Sequence, residues 1–327
     1  MIRISFAISL CLCAYLPLCG AAKLDPIEIE KFVIEMQRKH AFEPAALRAM
    51  LSHANRLDGV LAAISKPAEY KPWHQYRPIF ITEARIQGGR EFWRNNEQVI
   101  AAAATEFGVP PEIIVSIIGV ETAYGRNAGN YAVLEALGTL AFHYPPRASF
   151  FRSELTNLML LAREEQIDPA GLQGSYAGAM GIPQFMPSSF RAYAVDFDQD
   201  GRRDIWNAPE DAIGSVANYL QRHGWQAAQP VALRALDAAS NHAQTSDSVE
   251  LAKTLAEFAA LGVKPDGTAP ATARAVLLAY EGLHANEYWL GLQNFYVITR
   301  YNRSPKYALA VFQLAEEIRM ARARAAP

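Results

Sequence analysis

The sequence predicts a mainly α (α+β) protein in which helices carry most of the fold and a small β-containing segment interrupts them near residue 230. Two observations predict this. Helix starts led by a polar residue or a proline recur at Asp25-Pro26, Glu43-Pro44, Pro110-Pro111 and Ser304-Pro305, and apolar residues follow each at helical spacing. Proline in a first turn gives up only an N–H that the helix would leave unpaired, so it marks a beginning. From Pro230 to about Leu292 that rhythm gives way to short apolar runs separated by Ser, Asn and Thr, the pattern of strands and turns.

The N-terminus stands outside the fold. Arg3 supplies a positive start, Ile4 to Leu18 is almost wholly apolar, and small residues follow at Gly20, Ala21 and Ala22. That layout predicts a secretory signal peptide over residues 1–22, with an apolar stretch short for a membrane span. An uncleaved anchor helix is the alternative. Leu16-Pro17-Leu18-Cys19-Gly20 also sets Cys19 where a lipid could be attached, although Leu18 occupies a position where such signals take a small residue. Cleavage after Ala21 or Ala22 without a lipid is the favoured reading. Beyond Ala22 no run is long and apolar enough to cross a bilayer.

All three cysteines, Cys11, Cys13 and Cys19, lie in this leader, so the exported chain has neither disulfides nor thiolate metal ligands. Its stability must come from a core. With 51% hydrophobic residues, the roughly 300 residues after the leader suffice for one large domain with an appendage or two. The formal net charge is −2, one unit lower without Arg3. There is no basic excess or clustered patch, which argues against a nucleic-acid partner.

Along the chain, Asp25 caps a first helix with Ile29, Phe32, Val33 and Met36 on one face. Glu43-Pro44 opens a second, with Leu47, Met50, Leu51 and Ala54 on its buried face. Lys66 to Pro78 holds three prolines and three aromatics and reads as an extended connector on the surface. Thr82 caps a helical region running to Phe107, stopped by Gly108. Val231 to Leu236 and Ala275 to Tyr280 read as strands. Helical spacing returns after Ser304-Pro305, with Ala308, Val311, Phe312, Ala315 and Ile318 on one face.

Three segments carry chemistry. Pro110-Pro111-Glu112 opens a helix apolar on nearly every side, through Ile113, Ile114, Val115, Ile117, Ile118 and Val120, and it ends in Glu121-Thr122-Ala123-Tyr124-Gly125. Such a helix is buried. Burial and the negative end of the helix dipole both disfavour a charged Glu121, which suits a proton donor near neutral pH. An ordinary solvated helix end is the alternative. Gly174 to Phe190 combines Gly and Ala with Gln184, Met180, Phe185 and Met186, either a sugar-binding surface of polar and flat apolar groups or a tight inter-helix turn. Asp196, Asp198 and Asp200 fall at positions one, three and five of a calcium loop, with Gly201 at six and the Arg202 carbonyl at seven. Position twelve is Asn207 instead of glutamate, so a closing ligand must come from elsewhere. A solvated acidic turn is the alternative.

Val120 to Gly125, the Gly-Ser-Tyr-Ala-Gly-Ala-Met-Gly segment through Gln184-Phe185-Met186-Pro187-Ser188-Ser189, and Thr299-Arg300-Tyr301-Asn302 together resemble the lytic transglycosylases of glycoside hydrolase family 103. The likeness runs from about Phe32 to the C-terminal helix. It implies a lysozyme-like helical core over 96–228 with an EF-hand-like loop at 196–211. A further helical domain would be formed by 23–95 and completed by 303–327, a small β-containing domain would span 229–292, and the chain would return to the core at 293. It also implies cleavage of peptidoglycan strands between N-acetylmuramic acid and N-acetylglucosamine without water, giving 1,6-anhydromuramoyl ends, with Glu121 as acid and then base. Family glycan contacts map onto Tyr76, Arg147, Gln184, Tyr219, Tyr301, Asn302 and Tyr307. The family often has two arginines after Tyr144-Pro145; here Pro146 replaces the first, which puts contacts to the muramoyl carboxylate or peptide in doubt.

The resemblance further implies structural calcium on Asp196, Asp198, Asp200, Arg202 and Asp211, and no cofactor for the chemistry. The expected setting is periplasmic, with peptidoglycan and cell-wall synthesis or remodelling proteins as partners. Membrane contact would follow only if Cys19 carries a lipid. A hydrolytic muramidase, with Glu165 or Asp168 as a second carboxylate, and a non-catalytic peptidoglycan-binding scaffold are the competing readings.

Overall fold

Asp25 accepts a hydrogen bond from the Ile27 amide and Pro26 begins α1 (Pro26–His40), which buries Ile29, Phe32, Val33 and Met36 and ends where Ala41 turns left-handed. Glu43 caps α2 (Pro44–His53) by accepting from Ala45 and Ala46, and Leu47 and Leu51 face inward. The computed structural model describes residues 22–65, 71–236, 238, 245–246 and 248–324. The expected signal peptide and Cys19 lie outside these residues. A short helix, α3 (Asp58–Ile64), leads toward the connector.

That connector corrects the sequence expectation. Its part from Trp73 onward is helical, α4 (Trp73–Phe80), and one face of it is buried: Trp73 is 1% and Tyr76 4% exposed, while Gln75, Pro78 and Ile79 remain exposed. Pro72 occupies the N-cap, where a missing N–H costs nothing, and the apolar contact of Trp73 with Tyr280 (5.3 Å between rings) holds the segment down. The part before residue 71 lies outside the described residues. The helical region after Thr82 is two helices, α5 (Glu83–Asn95) and α6 (Glu97–Phe107), broken at Asn96. Thr82 caps the first and left-handed Gly108 ends the second, as expected.

α7 (Pro111–Thr122) is the axis of the molecule, with Ile114, Val115, Ile117 and Ile118 fully buried. α5, α6, α11 (Pro209–Arg222) and α14 (Pro305–Ala323) pack directly against it, α8 (Val133–His143) pairs with α9 (Ala148–Glu165), α10 (Pro187–Tyr193) bridges α9 and α11, α13 (Gln293–Tyr301) lies on α14, and α12 (Leu255–Ala260) sits in the β region. Ser116 binds the Val311 carbonyl at 2.5 Å and so pins α14 to α7. Among the described residues no single helix is long and apolar enough to cross a membrane.

Two small sheets complete the fold. β1 (Tyr131–Ala132) pairs antiparallel with β2 (Gln173–Gly174) beside the end of α7. The larger sheet holds β3 (Ala232–Leu236), β4 (Lys253–Thr254), β5 (Lys264–Asp266), β6 (Arg274–Glu281) and β7 (Asn286–Gly291) in the order β4-β6-β7-β3-β5. β6 is apolar on both faces for a reason: Val276, Leu278 and Tyr280 join the helical core, whereas Ala275 and Leu277 join the sheet's own core with Leu255, Phe258 and Val263.

Candidate active site

Glu121 lies one residue before the C-terminus of α7, and the turn that follows is tightly specified. Ala123 and Tyr124 take left-handed conformations (φ 49° and 66°) and their amides bond back to the carbonyls of Gly119 and Ile118. Thr122, fully buried, donates to the Ile182 carbonyl at 2.9 Å and accepts from the Gly125 amide. The end of the helix is thereby spliced to the glycine-rich segment. The Ile182 amide in turn bonds the Ile205 carbonyl. Gly181 permits that approach, because a Cβ there would stand 2.6 Å from the same carbonyl and its φ is +65°.

The Glu121 carboxyl sits among apolar and aromatic groups, and burial pushes its pKa up to about 7. The Tyr307 hydroxyl donates to its Oε1 at 2.5 Å, which favours the ionised form and partly offsets the burial. Tyr307 is held in turn by α14's first turn. Asn302 accepts from the Ser304 amide, and Ser304 caps the helix by accepting from the Tyr307 amide. Tyr76, on α4, is buried within electrostatic reach of Tyr307.

Tyr301 donates to the Pro183 carbonyl (2.7 Å), tying α13 to the glycine-rich segment. Its ring meets Phe185 at 5.8 Å and Tyr219 at 4.7 Å. Tyr219 spends its hydroxyl on the Arg300 carbonyl (2.6 Å) and stacks on His223 at 4.1 Å, so it reaches the site through its ring. Gln184 is itself left-handed (φ 53°), and its amide nitrogen donates to the carbonyls of Ala128 and Gly181. The structure thus gathers Glu121, Tyr76, Tyr301, Asn302, Tyr307, Tyr219 and Gln184 around one end of α7. Arg147 belongs to a different cluster. It is exposed on the 3-10 turn Pro145–Arg147, with its guanidinium over Phe150 at 4.5 Å and Phe151 at 5.3 Å.

Sequence reasoning missed several residues here. Glu154, 4% exposed, accepts from the Ser188 amide and hydroxyl and fixes the start of α10. A glutamate at a core position of an amphipathic helix was the available signal. Arg85 and Thr122 bind backbone carbonyls far away in sequence, which leaves no pattern to read. A cleft of about 800 Å³ lies away from Glu121. It lies between the end of α9, the turn at Ala128-Gly129 and the acidic loop, with Leu172, Arg202 and Trp206 in its wall.

In the acidic loop, carboxylate oxygens of Asp196, Asp198 and Asp211 lie within 4.8 Å of one another. Asp211, 1% exposed, comes from α11 and accepts from the amides of Phe197 and Asp204. Asp196 accepts from the amides of Asp200 and Gly201. Asp200 stands apart from this trio and accepts from the Arg202 amide. An oxygen-only set that brings three carboxylates together suits a hard divalent cation such as calcium.

The two carboxylates named for the hydrolytic alternative have structural partners. Glu165 is ion-paired with Arg203, and Asp168 caps the turn at Pro169 by accepting from the Ala170 amide.

Comparison with known proteins agrees with this geometry. The family model described as "Transglycosylase SLT domain" matches residues 27–316. Membrane-bound lytic murein transglycosylase B of Escherichia coli K12 is 44% identical over 303 residues, which is 90% of this chain and 83% of the relative. The crystal structure of soluble lytic transglycosylase SltB1 from Pseudomonas aeruginosa superposes with a TM-score of 0.86 at 52% identity, covering 91% of this chain and all of that one. E. coli Slt35, solved in complex with bulgecin A and with calcium, gives a TM-score of 0.84 at 42% identity over 93% of this chain and 96% of its own. The chain belongs to the transglycosylase SLT family and is a lytic murein transglycosylase, a lyase acting on peptidoglycan, with the family's lysozyme-like, mainly α fold and β insertion.

Proposed function

We propose that the enzyme cleaves the β-1,4 bond between N-acetylmuramic acid and N-acetylglucosamine with Glu121 as its sole acid and base. The observation that carries this reading is a lone carboxyl group, held partly protonated near neutral pH by burial, beside the Tyr307 hydroxyl. Protonated Glu121 donates to the glycosidic oxygen as C1 gains oxocarbenium character and the C1–O bond breaks. The ionised Glu121 then takes the proton from the muramoyl C6 hydroxyl, whose oxygen bonds to C1 and closes the 1,6-anhydro ring. No water is consumed, and the carboxyl returns to its starting state. Glycosidases that use two carboxylates need the second one across the sugar. Glu165 and Asp168 are committed to Arg203 and to a turn, which supports the one-carboxyl scheme.

Around this centre Tyr76, Gln184, Tyr219, Tyr301, Asn302 and Tyr307 would orient the glycan, and Arg147 on its ledge of Phe150 and Phe151 would meet a more distant part of the strand. Asp196, Asp198 and Asp211, with the Asp200 turn and the Arg202 carbonyl, would hold calcium, and Slt35's calcium complex supports this. The ion's role is structural: it holds the loop that leads into Ile205 and, through Ile182, the glycine-rich segment. The protein would act on peptidoglycan strands after export. The reaction is tested by digesting purified sacculi in heavy-oxygen water. The expected products are 1,6-anhydromuramoyl ends without label, because the C6 hydroxyl is delivered intramolecularly. Mostly labelled, reducing muramic acid would make the enzyme a hydrolase.

A further inference from the structure

Two glycines sit side by side in the middle of α5, Gly88 and Gly89, where glycine is a poorer helix former than alanine. The space is taken by Tyr124, together with Arg126 beside Gly88 and Ile318 beside Gly89. A Cβ on Gly88 would come within 2.9 Å of the Tyr124 ring, one on Gly89 within 2.7 Å of its hydroxyl oxygen, and one on Gly119 of α7 within 2.6 Å of that oxygen. Three glycines therefore make a socket for one ring, which also stacks on Phe92 at 5.7 Å.

At the bottom of the socket the Tyr124 hydroxyl donates to the Arg85 carbonyl at 2.7 Å. The Arg85 side chain runs back the other way, and Nη1 donates to the carbonyls of Gly119 (2.5 Å) and Val120 (3.2 Å). These belong to the two residues immediately before Glu121, in the last turn of α7, where a helix leaves carbonyls short of partners and carries its negative end. The Gly119 carbonyl already takes the Ala123 amide, so the half-buried guanidinium adds a second donor there, gives the Val120 carbonyl its donor and sets a positive charge at the negative helix end.

We infer that Arg85 is a positioning residue for Glu121: it fixes the last turn of α7 through the Gly119 and Val120 carbonyls, and the Tyr124 socket keeps Arg85 in register. The inference rests on the reading of Glu121 as the reacting acid. Two consecutive non-glycine residues with positive φ, Ala123 and Tyr124, follow that turn and store strain that the Arg85 and Tyr124 contacts hold in check. Arg85 acts through backbone alone.

The test is kinetic, on soluble glycan strands, with Glu121→Gln as the reference. Arg85→Met keeps the stem and loses the donors. Its kcat is expected to fall about 30- to 100-fold with KM held within about threefold, the loss typical of a slightly misplaced reacting group. Arg85→Lys, which retains one donor, should recover most of that loss. Guanidinium ion at tens of millimolar (about 50 mM) should raise the turnover of Arg85→Ala several-fold and leave Glu121→Gln unchanged. A folded Arg85→Met within about threefold of wild-type kcat, or one that raises KM and spares kcat, overturns the inference. If Arg85→Met does not fold, Tyr124→Phe, which removes the bond that keeps Arg85 in register, must lower kcat at constant KM, and wild-type kcat in that folded variant overturns the inference. An active Glu121→Gln removes the Glu121 reading and this inference together. An inert Glu121→Gln beside a fully active Arg85→Met removes this inference alone.

Discussion

The end of α7 and the loop from Asp196 to Asp211 use the same functional group to opposite ends. At α7 one carboxyl is withdrawn from water and given a single hydroxyl donor, so its proton is held to about pH 7. In the loop three carboxylates are drawn together, two on the open side and Asp211 beneath them, with backbone amides pointing in. Isolation suits a proton donor, and clustering suits a cation. The two regions differ in the company each carboxyl keeps.

The sharpest break between them is Glu121→Gln, which keeps shape and loses the proton. Turnover on sacculi is expected to fall at least about 1,000-fold with glycan binding preserved, within the range that general acid–base catalysis supplies. The equivalent change in the loop, Asp198→Asn, should leave turnover at 25 °C within about twofold. A reversal of these two outcomes would exchange the roles of the sites.

Stability should show the cost of that isolation. A glutamate whose folded pKa lies above its unfolded value contributes fully below the unfolded pKa of about 4.5, and that stability is lost as pH rises through about 7. Glu121→Gln should therefore be more stable than wild type at pH 8 by about 3 kcal/mol and indistinguishable from it below pH 4.5. Chemical denaturation at the two pH values reads this directly; equal stabilities at pH 8 would mean that Glu121 titrates as a solvated group.

For the loop, calcium at a hundred times its Kd should stabilise the folded enzyme by about 2.7 kcal/mol over a chelated sample, because it binds only the folded state. Asp198→Asn should remove most of that shift. An unchanged melt would leave the acidic trio as a surface turn. The smallest expected effect is that of Tyr307→Phe. Losing one hydrogen bond to the carboxylate should lower turnover about tenfold. Because that bond favours ionised Glu121, its loss raises the pKa, and the alkaline fall in turnover should move to higher pH. A fall that moves to lower pH contradicts the assigned donor.

What was legible in the sequence was local. Glu121 could be found because an apolar helix that ends in a carboxylate is visible within a dozen residues, and the acidic loop because its spacing is contiguous. Caps such as Asp25, Thr82 and Gly108 act within one turn and were read correctly. The tyrosines were found only through family resemblance, since Tyr307 lies 186 residues from Glu121. Trp73 to Phe80 was misread because proline content describes backbone freedom, and burial of Trp73 against Tyr280 overrode it. Arg85 and Thr122 bind backbone carbonyls distant in sequence, which nothing in their flanking residues announces, whereas Glu154 is signalled by its core position on α9 but its serine partner is not.

Ile182 deserves a last consequence, because its amide takes the Ile205 carbonyl while its own carbonyl takes the Thr122 hydroxyl. One peptide segment is the common rung between the acidic loop and the helix end. Displacing this segment breaks both bonds, which couples the acidic loop to the helix end. Hydrogen exchange at the Ile182 and Gly125 amides is expected to report that coupling, with an added ion that closes the loop slowing exchange beside Glu121 without touching it.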